Sequence, residues 1–408
     1  MRRLHGTALV FGVVATLSTA TAQENVLTRD EVIALARQRA PRILVARARI
    51  DEARGRLVGA SALFADNPSL DVLAGRRDSP DGEFFEADVA IRQPLELFGT
   101  RAARIDRAEA GLARAEARSD AATRQVLRDI VTAFLGTLKA NEHVRIAHDA
   151  EAVSAEMVRI AEGRRKAGDV AILDVNAARA TASRSRSEIR EADAGQESSI
   201  GALRTLLGLS SSEMAGVRGA LHDELRQYAD AQLLAQAQDR PDLLARLKEI
   251  EQAEAEVRLG RALRWPSIGV GTEYKREEGA NVVMGGLGVS VPVFQRGQGT
   301  EAEAVARTTR LRLGLAEARK AVENEIRTDL AVYKSRLESV AELQEHALPL
   351  LEENETLARR SYEAGEGPFS DWMLARKEAL ETKREQLDRL LQAAVAALEL
   401  ETAAGILK

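Results

Sequence analysis

No cysteine occurs in the 408 residues, which excludes disulfides and thiolate metal sites. Aromatics are scarce, 3% of the chain, a thin supply for large globular cores. Neither sign of charge dominates: 58 Lys and Arg against 63 Asp and Glu leave a net charge of −5, with no basic tract suited to nucleic acid. Past the N-terminus no apolar run reaches about 18 residues, so no membrane-spanning helix is expected. HExxH, GxxxxGK[ST] and GxSxG are absent as well, so no catalytic activity and no cofactor are expected. Gly285, Gly286 and Gly288 lie inside a strand pattern and precede no suitable helix, unlike a nucleotide fingerprint. His143 and His148 are five apart and turn away from one another on a helix, so no metal site is expected. Many carboxylates have a base four positions on, as Glu323 has Arg327, the ordinary support of an exposed helix.

Charged residues make up 30% of the chain, which suits long, solvated helices. Arg2 and Arg3 precede an apolar run from Ala8 to Leu17, followed by Ala20-Thr21-Ala22. That is the pattern of a signal peptide over 1–22, cleaved to leave Gln23. The alternative, a short membrane anchor, is opposed by a run too short to span. No cysteine follows, so no lipid anchor is expected and the mature chain is read as exported.

The chain is organised around Phe84 to Arg101. Phe85, Ala87, Val89 and Ile91 alternate with Glu86, Asp88, Ala90 and Arg92, a strand with one apolar and one polar face. Pro94 lacks the N–H for a ladder bond and is expected to end it. Gly99 and Thr100 lead into a long Ala-, Arg- and Glu-rich run that reads as helix. The same switch returns at Val282 to Thr300, with Pro292 and Gly297 at the same separation from Pro94 and Gly99. These are strand-to-helix elbows of an internal repeat.

In order, Leu27 to Leu63 reads as helix, capped by Thr28 or Asp30 and interrupted at Pro41. Ser69 to Gly75 alternates as a strand, and Arg76 to Gly82 reads as a turn. One helix of about 60 residues runs from Arg101 to Gly163, roughly 90 Å long, and needs lateral partners. It breaks at Ala167-Gly168-Asp169, and a second helix returns from Ile172 to Leu207. The second half repeats this. Pro241 answers Pro41, Pro266 answers Pro68, and strands recur at Ile268–Tyr274 and Val282–Val291. A long helix from Thr300, expected to bend near Pro349, breaks at Ala364 to Pro368 and returns to Ala403. The expected division is a first repeat over 23–207, a joining segment over 208–225, and a second repeat over 226–408. Each repeat is helix, strand, strand, long helix, tip, long helix.

Four strands cannot close a barrel, and an open edge is forbidden in lipid, so a membrane barrel here must borrow strands from other copies. Phe64, Phe98, Trp265, Tyr274 and Phe294 lie at or near strand ends, where an interfacial girdle would sit. The competing reading makes them core aromatics of a soluble sandwich.

Two tandem copies of helix, β-hairpin, long helix and tip resemble the TolC-type outer-membrane factors over nearly the whole mature chain. Gln93-Pro94-Leu95-Glu96-Leu97-Phe98-Gly99-Thr100-Arg101 and Phe294-Gln295-Arg296-Gly297-Gln298-Gly299 resemble the CzcC-like branch of heavy-metal efflux, although asparagine is common there where Gly297 stands. The resemblance implies a mainly α fold with a membrane β-hairpin pair. It implies a homotrimer whose twelve-stranded barrel in outer-membrane lipid continues into a periplasmic α-barrel. The partners it implies are a periplasmic adaptor and an inner-membrane RND-type pump. Drug efflux or type I protein secretion would use the same tunnel. A soluble periplasmic adaptor or coiled-coil scaffold is the rival of another class.

By the same resemblance the tips at Gly168 and Gly365 contact the adaptor, and Tyr362, Asp371 and Asp174 form the periplasmic entrance. Aligned on the two glycines, Asp174 pairs with Asp371. Gly367 stands where well-studied members carry a gating arginine, and Leu374 where they carry a second aspartate. An arginine–aspartate latch is therefore not expected, and one acidic ring remains at most. The alternative is that both aspartates merely cap or solvate helix starts.

Overall fold

The computed structural model describes residues 26–80, 82–277 and 280–407. The signal peptide assigned to 1–22 lies outside the described residues. Chain order gives β1 (Val26–Leu27), α1 (Arg29–Arg39), α2 (Pro41–Ala60), β2 (Ser69–Ser79), β3 (Gly82–Leu95), α3 (Thr100–Ala167) and α4 (Ile172–Leu207). After these come β4 (Gly216–Val217), α5 (Asp230–Gln236), α6 (Pro241–Ala262), β5 (Ser267–Glu277), β6 (Ala280–Ser290), α7 (Gln298–Ala341), α8 (Leu348–Ala364) and α9 (Phe369–Ala403).

The four long strands form one antiparallel sheet in the order β2-β3-β5-β6, leaving β2 and β6 as edges. Its register sorts the side chains. Val72, Val89, Tyr274 and Val283 lie across from one another, as do Gln93, Val270 and Leu287, building a largely apolar face. That face is bare in the single chain: Val283 and Leu287 are each 76% exposed. The opposite face carries ion pairs between Arg92 and Asp71 (2.8 Å) and between Lys275 and Glu273 (2.7 Å). At the helical end Phe98 stacks on Trp265, ring centroids 5.6 Å apart, while Phe294 is bare.

Several boundaries differ from expectation. β2 runs to Ser79 rather than stopping at Gly75, because Arg76 and Arg77 pair across to Glu83 and Glu86 and so extend the ladder. Pro94 does not end β3, which continues to Leu95. Pairing with β2 stops at Arg92, so beyond it one side of β3 is an edge, where a missing N–H is tolerated. The helical stretch is capped at Thr28, which closes a capping box with Glu31, and is interrupted at Pro41 as expected, but Leu27 lies outside it: Val26–Leu27 pair in parallel with Gly216–Val217. Pro41 and Pro241 open α2 and α6, where no intrahelical donor is needed. Ahead of Pro349 the ladder passes through a π-turn, Glu342–Ala347. The proline can neither donate to nor clear the carbonyl four residues back, and the widened turn accommodates it.

The helices stand side by side. Towards the sheet α2, α3, α6 and α7 are neighbours in that order; towards the tips α3 packs on α4 and α9, and α9 packs on α7 and α8. α3, with 68 residues, is about 100 Å long and belongs to both tiers. Two apolar clusters lie midway: one joins α1, α3, the end of α4 and α9, the other α6, α7 and α9. Among the described residues no helix is long and apolar enough to cross a membrane.

Candidate entrance at the paired helix tips

Each tip is made by a helix that ends on glycine. Gly168 (φ 89°) closes α3, with Gly168 N–H donating to Arg165 O and Asp169 N–H to Arg164 O. Gly365 (φ 82°) closes α8 in the same way, with donors to Tyr362 O and Ser361 O. Both are Schellman turns, which need a left-handed residue at this point. The returning helices start without a side-chain cap at Ala171 and Pro368. Asp174 and Asp371 each stand three residues inside, in the first turn, where a carboxylate meets the positive end of the helix dipole.

The two aspartates differ in setting. Asp371 is exposed and accepts from Ser370 Oγ at 3.2 Å; Asp174 is half-buried beside Tyr362. The Tyr362 ring, expected at the entrance, is 1% exposed and sits inside the structure. It packs with Phe369 and Trp372, centroids 5.1 and 5.8 Å away, over Met157, Ala161, Val175 and Ala178 from the first hairpin. This third apolar cluster joins the two tips. Burial pushes the Tyr362 hydroxyl's pKa up, the Asp174 charge adds to the rise, and Arg164 opposes it. Although Asp174 acts on that hydroxyl electrostatically, no hydrogen bond of ordinary geometry closes between them, and Trp372 Nε1 is likewise unpartnered.

Arg164 crosses from the first tip to the second. Its Nη1 donates to the Tyr362 carbonyl, and its Cζ lies 4.7 Å from the centre of the Tyr362 ring. Farther from the tips, Arg359 pairs with Glu156 at 3.3 Å and Arg384 with Glu188 at 2.6 Å. Gly367 folds back on Ser361, whose carbonyl accepts its N–H at 3.2 Å. A groove of about 620 Å³ between α4 and α9 is lined by Leu173, Asp174, Phe369 and Leu374 among others. Among the described residues no three metal-ligating side chains converge.

Sequence reasoning missed Arg164, Phe369 and Trp372. Phe369 and Trp372 were visible as an i, i+3 aromatic pair just past a helix break, in a chain with few aromatics. Nothing in the sequence pointed to Arg164, whose partner lies 198 residues away.

At the elbows Pro94 is the penultimate residue of β3 and Pro292 follows β6, while Gly99 and Gly297 precede α3 and α7 in the left-handed conformation. Arg104 fastens the first elbow through a part-buried ion pair with Glu96 and a bond to Ala60 O.

Comparison with known proteins agrees with this architecture. The family model described as outer membrane efflux protein matches residues 32–209 and 233–406. The cobalt-zinc-cadmium resistance protein CzcC of Cupriavidus metallidurans is 27% identical over 315 residues, covering 76% of this chain and 75% of that protein. The solved structure of CusC, whose title concerns transmembrane channel formation, superposes with a TM-score of 0.77 at 18% identity over 92% of each chain. The outer membrane protein VceC of Vibrio cholerae gives 0.74 at 20% identity, over 92% of this chain and 96% of that one.

Proposed function

The chain belongs to the outer membrane efflux protein family, and from that premise we propose that it is the exit duct of a tripartite pump for heavy-metal cations. Members of this family are outer-membrane channels, not enzymes. The observation that carries the duct is the sheet: one apolar face bare, one ion-paired face, and two unpaired edges continuous with the helical wall. A sheet of this kind is unsuited to water on one face and to lipid at its edges. Three copies joined edge to edge make a twelve-stranded barrel with no edge, and the helices below it make the periplasmic tunnel. The signal peptide brings the chain to the periplasm, and no lipid anchor holds it. The division into repeats over 23–207 and 226–408 belongs to the same reading.

Likeness to a cobalt-zinc-cadmium resistance protein supports metal cations as cargo. Among the described residues no three metal-ligating side chains converge, and this reading assigns the choice of metal to an RND-type pump and a periplasmic adaptor, which docks on the tips at Gly168 and Gly365. At the entrance three copies of exposed Asp371 focus negative potential and favour cations.

Outer-membrane fractionation followed by mass in detergent tests the duct: a trimer that requires detergent is expected, and a soluble monomer would refute it. Metal accumulation in cells lacking the protein tests the cargo. For the entrance, Asp371→Asn is expected to lower the cation-to-anion permeability ratio in a planar bilayer; an unchanged reversal potential counts against the acidic ring.

A further inference from the structure

We propose that Arg164 is a positioning residue that bolts the two tips of one chain together and sets how widely the entrance opens. The proposal rests on the duct reading above and deepens it. Three basic residues end α3, and a basic last turn ordinarily does no more than answer the helix dipole. Here the three diverge. Arg165 turns back into its own tip, donating to Val170 O at 3.1 Å, and Lys166 is exposed. Only Arg164 of the three reaches the other hairpin.

Its grip is twofold and planar. One guanidinium nitrogen donates to the carbonyl of Tyr362 while the cation lies over the ring of the same residue. Tyr362 sits three residues before the glycine that turns the second tip. Close approach at that turn is built in, since a Cβ on Gly365 would stand 3.2 Å from Arg164 Nη2. A charged donor and a cation over an aromatic face are both strengthened where water is displaced, and Tyr362 is almost wholly buried. The Tyr362 hydroxyl takes no part in this grip, since Arg164 meets the carbonyl and the ring face while the hydroxyl faces Asp174. What is gripped is the ring and the backbone, so the ring matters and the hydroxyl does not.

With the bolt in place the tips of a chain move as one body, and the entrance can widen only by displacing both. Without it the second tip is held to the first only by the apolar cluster and by the Arg359 and Arg384 ion pairs farther off, and the entrance dilates.

The test uses the full-length protein in detergent and in planar bilayers. Because the chain has no cysteine, Asp169→Cys with Glu366→Cys gives one label on each tip for an interspin distance measurement. A narrow distribution is expected for the otherwise wild-type chain. Broadening is expected on Arg164→Ala and on Tyr362→Leu, partial retention on Arg164→Lys, and no change on Tyr362→Phe. In bilayers Arg164→Ala should shift the ratio of open to closed channels by roughly tenfold, with Tyr362→Phe matching wild type. An unchanged distance distribution in both Arg164→Ala and Tyr362→Leu would overturn the bolt, as would Tyr362→Phe behaving like Arg164→Ala. Should Arg164→Ala fail to assemble, Tyr362→Leu against Tyr362→Phe decides. A wild-type chain with the narrow distribution but no current would refute the duct and leave the bolt standing.

Discussion

Alanine at Gly297 and alanine at Gly99 should destabilise the protein by different amounts, although the two glycines hold corresponding places before the long helices. Both have positive φ, 72° and 84°, so each substitution carries the left-handed penalty of about 1–2 kcal/mol. There the likeness ends. A Cβ on Gly99 would meet nothing within 4 Å, whereas one on Gly297 would stand 2.3 Å from Gly260 O and 2.9 Å from Leu263 Cβ. Those are backbone and first side-chain atoms that cannot swing aside. α6 and α7 would have to separate, and overpacking of this kind adds about 1–3 kcal/mol. Gly99→Ala is therefore expected to cost about 1–2 kcal/mol and Gly297→Ala about 2–5 kcal/mol. Thermal midpoints of the detergent-solubilised variants, taken at one scan rate because unfolding of an assembly is often irreversible, should rank wild type, Gly99→Ala, Gly297→Ala. Gly297→Asn sharpens the test, since asparagine tolerates the left-handed region but not the contact, and should still fall below Gly99→Ala. Equal midpoint losses at Gly99 and Gly297 would refute the contact argument.

Two further outcomes follow from contacts elsewhere. Arg104→Ala removes the partner of a Glu96 carboxylate that is only 15% exposed, and should lower stability by about 3 kcal/mol; urea midpoints check this, with Glu96→Gln with Arg104→Met expected to recover part of the loss. Glu213 is held down to a pKa of about 2 by the Ser210 N–H, Arg39 and the Ser210 hydroxyl. A carboxyl depressed in the folded state contributes stability above its unfolded value, 4.5, and loses it as pH falls from there towards 2. Glu213→Gln should therefore flatten the acid limb of stability in that window, and an acid limb identical to wild type would count against the assignment.

Much of the fold was legible because its signals are local. Alternation at Val89 and Ile91 marks a two-faced strand, and Pro41 marks a break in a helical stretch that Pro241 repeats in the second half. The tips were legible for the same reason, since Gly168 and Gly365 each end a helix by their own backbone. Strand length was misjudged at Arg76 to Ser79 because charge suggested a turn, while the partners that keep it extended, Glu83 and Glu86, act across the hairpin. The interior of the entrance was hidden for a deeper reason. Tyr362 reads as a polar residue near a tip, and only the meeting of two hairpins nearly 200 residues apart buries its ring.

The two long limbs also differ mechanically. α3 is one unbroken rod from elbow to tip, whereas the limb made by α7 and α8 contains a six-residue π-turn between them. Helical ladders are stiff along their length, and a π-turn is where theirs is weakest. A load applied at the first tip meets no such break before the sheet elbow, while the same load at the second must cross the π-turn at 342–347. The two repeats thus contribute a strut and a jointed arm, and the sheet is shielded from movement on one side only.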